Sequence, residues 1–585
     1  MSPHTIPPAA GLAAPATRVD AERPTSQRRL DEMVARLRDG AVALARLSLR
    51  DRIGLARSMQ TGYLGRAEEI VRASCAAKGI SRGTPLEGEE WATGPWCVVR
   101  HLRLVAETLD SLARTGNTPV GRVGRTPDGR VAVRVFPASR IDGMLFAGIT
   151  VDVHMLDGVT ETAMHASRAP FYRGRAHDGR TVLVLGAGNL SGIPAMDVIT
   201  KLFNESKACL LKMNPVNAYL GPLIEAAFAE PIRRGLLGVA YGGAAEGTYL
   251  VDHPGIDEIH LTGSDRTYDQ IVWGSPGPER DARKARNAPL VTKPITAELG
   301  NVSPVIVVPG PYSAKELAFQ AESIAGAVTC NASFNCNAAK MLVTPKGWAR
   351  RGALLDAIER VLASAPVRQA YYPGAAERWR RLTQNRAQVR AIGTGGEGQL
   401  PWTLLPGLDA DDPSEPAFST EPFCPILSET PVASDDPVEF LERAVDFANE
   451  RLWGTLSADI VVHPKALRDP GIAAALERAI GRLRYGAVTV NSWTGFVFVH
   501  GTPPWGAYPG STRVDIQSGT GWVHNTSMID GIEKAVLRHP LTIMPKPATF
   551  PSHRTAHTVL QRLTRLEENG SWTRVPGVVA AAMRG

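Results

Sequence analysis

From residue 181 onward the chain alternates short apolar runs with amphipathic stretches. TVLVLGAGN (181–189) predicts a strand ending in glycines, and IPAMDVITKLFNE predicts a helix with Pro194 in its first turn. ACLLKMN, LLGVAYGG and IDEIHLTGS predict three more strands. AYLGPLIEAAFAEPIRRG, with an internal proline, and the short AAEGTYLVDHPG predict the helices between them. Alternation at this pitch means parallel strands joined by crossover helices. Ligands of such sheets bind at the carboxyl ends of the strands, which here are Gly186–Asn189, Lys212–Asn214 and Thr262–Ser264. A second alternating region starts near residue 295. SPVIVVPG, AKMLVTP, LSADIVVHP and GAVTVNSW predict strands; AKELAFQAESIAGAV and PVEFLERAVDFANER predict helices. The chain is therefore read as α/β with two alternating regions.

Residues 28–116 carry apolar residues three and four apart and predict helices, one of them closing at Lys78-Gly79. GRVAVRVFP (129–137) alternates as a strand does. The Pro- and Ala-rich residues 1–27 read as a flexible tail, and the Pro/Asp-rich 406–418 as a surface loop. Residues 526–585 give only weak signals.

Composition narrows the class. The 585 residues are 44% hydrophobic and 21% charged, enough for a sizeable core and more than one domain. The net charge of +7 is spread along the chain, and its densest basic block, PERDARKARNAP, also contains acids. That speaks for an anionic small molecule, such as a nucleotide, over nucleic acid. No apolar run is long enough to span a bilayer and the N-terminus lacks the layout of a secretory signal, so a cytoplasmic protein is expected. The six cysteines form no CxxC pair and the histidines no HExxH, so neither a disulfide framework nor a metal site is expected.

Two stretches carry candidate chemistry. GAGNLSG places Gly186, Gly188 and Gly192 between a strand and a helix, close to a dinucleotide fingerprint but one residue too long for GxGxxG. The following strand ends in Lys212 where an acid on a ribose is expected. A tight strand-to-helix turn would need the same glycines. SFNCNAAKMLV holds Cys336, which is either a buried space-filling thiol or a nucleophile. Cys330 is the rival thiol.

Other pieces join these in order: ITAELGNVSPVIVV with Glu298, IHLTGS, TEPFCPIL with Glu421 and Phe423, and ANERLWGTLSA. With these motifs, residues from roughly 30 to 525 resemble the aldehyde dehydrogenase superfamily, nearest to its shorter, fatty-aldehyde-type branch. The resemblance implies a nicotinamide dinucleotide-binding domain with the N-terminal helices at 28–294 and a catalytic α/β domain at 295–500. It also implies a C-terminal return to the first domain with an oligomerisation segment at 501–585. It implies Cys336 as nucleophile, Glu298 as general base and Asn189 as oxyanion donor. Lys212 and Asn214 would meet the adenosine ribose region, Gly263 and Ser264 the pyrophosphate, and Glu421 and Phe423 the nicotinamide side. NAD or NADP is the implied cofactor, no metal is implied, and a homodimer or tetramer is the implied assembly.

The chain departs from the family at named positions. Ser333-Phe334 replace the usual Gly-Gln before the cysteine, Gly188 replaces a tryptophan, and Val302 replaces a lysine. Pro215 stands where an acid binds both ribose hydroxyls, so rejection of NADP⁺ should weaken. Tyr268 stands where a glycine lets a helix approach the phosphates. Three functions are consistent with this reading: an NAD(P)⁺-dependent aldehyde dehydrogenase, a reductase of acyl-CoA or another activated acyl group, and a binding protein of the same fold. Retention of Glu298 favours the first over the second. The bulk of Tyr268 is the feature that favours the third.

Overall fold

The computed structural model describes residues 23–585. Most of the expected tail, residues 1–22, lies outside them. The first helix, Gln27–Ala45, starts at Ser26, whose hydroxyl accepts from the Arg29 backbone N–H. The long helix expected before Lys78-Gly79 is two helices, Leu49–Gly65 and Ala67–Ala77, divided at Arg66. The helix expected across 218–235 is also divided, into Gly221–Ala227 and Ala229–Arg233. Pro231 has no N–H to offer the Ala227 carbonyl, and that carbonyl turns toward Gly62 instead.

Both alternating regions form sheets. The first has six strands in the order Gly519–Thr520, Ile295–Leu299, Glu258–Gly263, Thr181–Leu185, Ala208–Lys212, Leu237–Ala240. All neighbours are parallel except the first pair. The second sheet has eleven strands. Its centre is parallel and runs from Ala487–Val490 through Ser457–Val461, Pro304–Val307 and Met341–Pro345 to Ile426–Val432. Ile532–Arg538 extends this sheet in parallel, and the antiparallel strands Thr150–Met155 and Val131–Phe136 follow it. The strands are short apolar runs buried on both faces, as parallel sheets covered by helices require.

The weakly patterned end of the chain is structured. After Ile532–Arg538 come the helices Ala556–Leu566 and Val575–Ala582. Their apolar faces pack on Val71, Trp91 and Trp96 of the N-terminal helices. No helix among the described residues is long and apolar enough to cross a membrane.

Candidate active site

A cavity of about 720 Å³ opens at the carboxyl ends of the first sheet, against the second. Cys336, Glu298, Asn189, Lys212, Asn214, Gly263, Ser264, Glu421 and Phe423 all line it. They come from six separate stretches of chain. Asn189 follows strand Thr181–Leu185, and Lys212 ends Ala208–Lys212. Gly263 ends Glu258–Gly263, and Ser264 caps the next helix by accepting from the Thr267 N–H at 3.2 Å. Glu298 lies near the end of Ile295–Leu299, and Cys336 lies in the turn between Ala314–Thr329 and Met341–Pro345.

Cys336 is half-buried, whereas Cys75, Cys97, Cys209, Cys330 and Cys424 are buried. Burial pushes its thiol well above the usual range, and the neighbouring Glu298 charge pushes it the same way, while Lys340 opposes both. Burial also raises Glu298, to about 7. The Cys336 thiol and the Trp505 indole N–H draw Glu298 partway back, although neither reaches full hydrogen-bond geometry. Glu298 Oε1 is buried and accepts no hydrogen bond among the described residues. A carboxyl that titrates near neutral pH beside a thiol, with a free acceptor, is equipped to take a proton from that thiol or from a water.

Asn189 is held from its backbone. Its carbonyl accepts from Tyr371 Oη at 2.8 Å and from Asn331 Nδ2 at 3.1 Å. Its own Nδ2 donates to the Phe334 carbonyl at 2.9 Å, which leaves the second N–H of that amide for another acceptor. The residues before Cys336 keep a left-handed backbone without glycine: φ is +52° at Asn331, +52° at Ala332 and +68° at Ser333. Such strain persists only where the surroundings over-determine it. Asn331 supplies that constraint. Besides Asn189 it binds the Phe334 carbonyl and Asn335, and its Oδ1 accepts from Lys78 Nζ at 3.0 Å and from Tyr371 Oη at 2.9 Å. Lys78 is in turn ion-paired with buried Glu90 at 2.8 Å.

Among the residues that the resemblance assigns to the cofactor, Lys212 is buried, and the loss of water lowers its ammonium. It meets no hydrogen-bond or ion-pair partner among the described residues. A buried ammonium left this way suits a polar or anionic ligand. Glu421 is bound to Lys340, whose Nζ also donates to the carbonyls of Cys336 at 2.6 Å and Asn301 at 2.9 Å. Phe423 packs edge-on against Tyr372 at 4.9 Å, and its carbonyl accepts from Arg378. Asn214 accepts from the Val216 N–H at 3.0 Å. Its side chain lies where a Cβ on Gly188 would be, at 2.7 Å, which is why no tryptophan fits there. Gly192 is needed for packing, because a Cβ would meet the Thr93 carbonyl at 2.4 Å. Tyr268 does not enter the cavity. It is buried against Val272, Trp273 and Leu299.

Lys340, Asn331, Tyr371, Lys78, Arg266 and Arg378 escape the sequence reading. Arg266 and Arg378 add positive charge to the cavity wall. The only sequence signal for Lys340 is a lysine at the head of an apolar strand. No group of His, Cys, Asp and Glu able to hold a metal ion occurs among the described residues.

Comparison with known proteins gives the same family. Residues 208–513, just over half of the chain, match the aldehyde dehydrogenase family. A geranial dehydrogenase of Castellaniella defragrans is 26% identical over 245 residues, 40% of this chain and 46% of that protein. The match thus spans about half the length of that relative. Among solved structures, NADP-dependent glyceraldehyde-3-phosphate dehydrogenase from Bacillus halodurans, complexed with NADP, is similar at 18% identity. The match covers 88% of this chain and 91% of that one, with a TM-score of 0.56. A variant of aldehyde dehydrogenase C from Pseudomonas syringae, complexed with NAD⁺ and octanal, is similar at 16% identity. It covers 88% and 89% of the two chains, with a TM-score of 0.58.

Proposed function

The chain belongs to the aldehyde dehydrogenase family, and from that premise we propose that it oxidises an aldehyde to a carboxylic acid with NAD(P)⁺ through a thioester on Cys336. The observation that carries this reading is the convergence of Cys336, Glu298 and Asn189 on the cavity that also holds Lys212 and Glu421. Cys336 loses its proton to Glu298, and the thiolate adds to the aldehyde carbon. The free N–H of Asn189 and the backbone N–H of Cys336 receive the developing alkoxide. Bound NAD(P)⁺ would supply the acceptor for the hydride released from this alkoxide's carbon. Glu298, having released that first proton to solvent, takes a proton from water as the water attacks the thioester, and Cys336 leaves as thiolate.

The residues fit the dinucleotide. Lys212 is a buried cation with no hydrogen-bond or ion-pair partner among the described residues, Gly263 and Ser264 lead into the N-terminus of Asp265–Trp273, and Glu421 is presented by Lys340. With Pro215 in place of an acid and Arg266 on the wall, either NAD⁺ or NADP⁺ is accepted. The relatives solved with NADP and with NAD⁺ and octanal support the cofactor and substrate class.

The acyl-reductase reading is weaker because Glu298 offers a base to any water near the thioester. The binding-protein reading loses its main feature, since Tyr268 is turned into the core. The test is a screen of aliphatic and aromatic aldehydes with both cofactors. Cys336→Ala should lose turnover by roughly 10³–10⁶-fold, as removal of a nucleophile does, with unchanged circular dichroism. Aldehyde oxidation that survives this substitution refutes the proposal, and CoA-dependent NADPH oxidation in its place supports the reductase.

A further inference from the structure

Behind Glu298 a row of polar side chains runs along the smaller sheet, away from the cavity. In the parallel pair Glu258–Gly263 and Ile295–Leu299, Thr262 is the register partner of Glu298, and His260 that of Thr296. Alternate residues of a strand share a face, so these four project from one side of the sheet. Ile259 and Leu261, between them, pack in apolar clusters instead. The crossover segment supplies Asp197 and Lys201, four positions apart, to the polar side. Thr262 Oγ1 donates to Asp197 Oδ2 at 2.8 Å and lies 3.4 Å from His260 Nε2. Asp197 Oδ1 is 3.6 Å from the same ring nitrogen. His260 Nδ1 and Thr296 Oγ1 are 2.8 Å apart, and Lys201 Nζ donates to Thr296 Oγ1 at 3.2 Å.

Asp197 and His260 are each 2% exposed, whereas Thr296 is only half-buried. A carboxylate and an imidazole are costly to place under a helix, where apolar side chains would pack without loss of hydration. Beyond Thr296, Lys201 pairs with Glu205 at 2.6 Å and Glu205 with Lys207 at 2.6 Å. Glu258, at the amino end of the same strand, pairs with Arg180 at 2.7 Å. The row thus begins at the candidate base and ends among charges at the opposite end of the sheet. The other titratable groups along it are Cys336 and Glu421 at the inner end and Cys209 beside Lys201.

Resting on the aldehyde-oxidation reading, we propose that Thr262, Asp197, His260 and Thr296 form the proton exit of Glu298, leading away from the cavity to the half-buried Thr296 hydroxyl. An aldehyde, NAD(P)⁺ and water give an acid, NAD(P)H and one proton. That proton is the one Glu298 takes from the Cys336 thiol, and it must leave before Glu298 can deprotonate water. The cavity is then filled by acyl group and dinucleotide, so an exit behind the base is needed. Thr262 and Glu298 both line the cavity and are neighbours across the strand pair. Glu298 gives its proton to the Thr262–Asp197 pair, and His260 Nε2 takes it up. His260 Nδ1 gives its own proton to Thr296, whose hydroxyl releases one to solvent. Only O–H and N–H bonds change. Lys201 donates into Thr296 Oγ1 and so leaves that hydroxyl's hydrogen free to point outward. The second proton, taken from water, returns from Glu298 to the Cys336 thiolate and closes the cycle.

The experiment is stopped-flow oxidation of octanal by wild-type protein, Thr296→Val, Thr296→Ser and His260→Gln. Valine keeps the shape of threonine but removes the hydroxyl, serine restores it, and glutamine can donate to Thr296 but cannot pass a proton on. The first hydride transfer needs no proton exit, so Thr296→Val and His260→Gln should each give a burst of one NAD(P)H per site at the wild-type rate. Their steady-state kcat should then be about 10–100-fold lower, a smaller loss than the 10²–10⁴ of a missing general base because Glu298 stays in place. KM for both substrates should be unchanged, and Thr296→Ser should recover at least half of the wild-type kcat. A normal kcat in Thr296→Val, loss of its burst, or an equal loss in Thr296→Ser overturns the exit while leaving aldehyde oxidation intact. If the wild type oxidises no aldehyde, that reading fails, and the exit is tested by the burst of nitrophenolate from 4-nitrophenyl acetate, which acylates a thiolate without a dinucleotide. The same split between burst and steady state then supports the exit; no split, or no acylation at all, overturns it.

Discussion

Glu298 pushes the Cys336 thiol away from ionisation and is itself the candidate base, and this gives one substitution two effects of opposite sign. Burial raises Glu298 to about 7, so its basic form is gained as the pH climbs through that value. Turnover limited by thioester hydrolysis should therefore rise across pH 6–8. In Glu298→Gln that limb should disappear, and kcat should fall by about 10²–10⁴, the range of a lost general base. The Glu298 charge also raises the Cys336 thiol. The same variant should therefore react faster with iodoacetamide at pH 8, measured by mass spectrometry of the Cys336 peptide. Slower turnover with unchanged or slower alkylation would contradict this coupling. The order and spacing of short motifs single out this pair, and the fold brings both to one cavity. Order and spacing could not reveal Lys340, which ties Glu421 to the Cys336 carbonyl, because Glu421 lies 81 residues away and is brought close only by the pairing of Met341–Pro345 with Ile426–Val432.

At the scale of elements, the segment between Ala314–Thr329 and Met341–Pro345 is held by contacts to three other parts of the chain. Asn331 joins Lys78, 253 residues away in sequence, to the Asn189 turn and to Tyr371. Asn331→Ala would leave Lys78 Nζ, Tyr371 Oη and the strained backbone short of partners. The expected cost is about 1–3 kcal/mol in stability, as for a buried polar group left unsatisfied. Turnover should fall with little change in KM for the cofactor, because the displaced group is Asn189 rather than Lys212. A variant with normal turnover and melting would show that the left-handed turn supports itself. The same scale explains which elements could be read. Both alternating regions appear as strands because their runs are apolar throughout. Ile532–Arg538 escapes because Glu533 and Lys534 interrupt its apolar pattern. Both are buried, Lys534 donating to the carbonyls of Ile480, Gly481 and Leu483 and Glu533 accepting from Tyr508. Charges neutralised by distant partners look, in sequence, like a solvated face.

At the scale of the whole molecule, the C-terminal region joins both halves. Ile532–Arg538 is an interior strand of the large sheet, and the helices after it roof a second cavity, of about 1090 Å³, on the N-terminal helices. One buried side chain fastens that roof. Glu567 accepts from Arg100 at 2.8 Å and Arg103 at 2.7 Å, and from the Trp96 indole at 3.3 Å. Arg100 is also bound by Asp142, so it keeps one partner if Glu567 is removed. Breaking a buried ion pair costs about 3–5 kcal/mol because the remaining charge stays out of water. Glu567→Ala should therefore loosen the roof before the sheets. Limited proteolysis should release fragments ending between residues 540 and 566 while the strands up to Arg538 stay intact. Ile532–Arg538 is gripped by strands on both sides and does not depend on the roof for its hydrogen bonds. Cleavage spread evenly along the chain would mean that roof and sheets unfold as one unit. Unaltered resistance would mean that apolar packing alone, around Leu560, Leu563 and Val578, holds the helices in place.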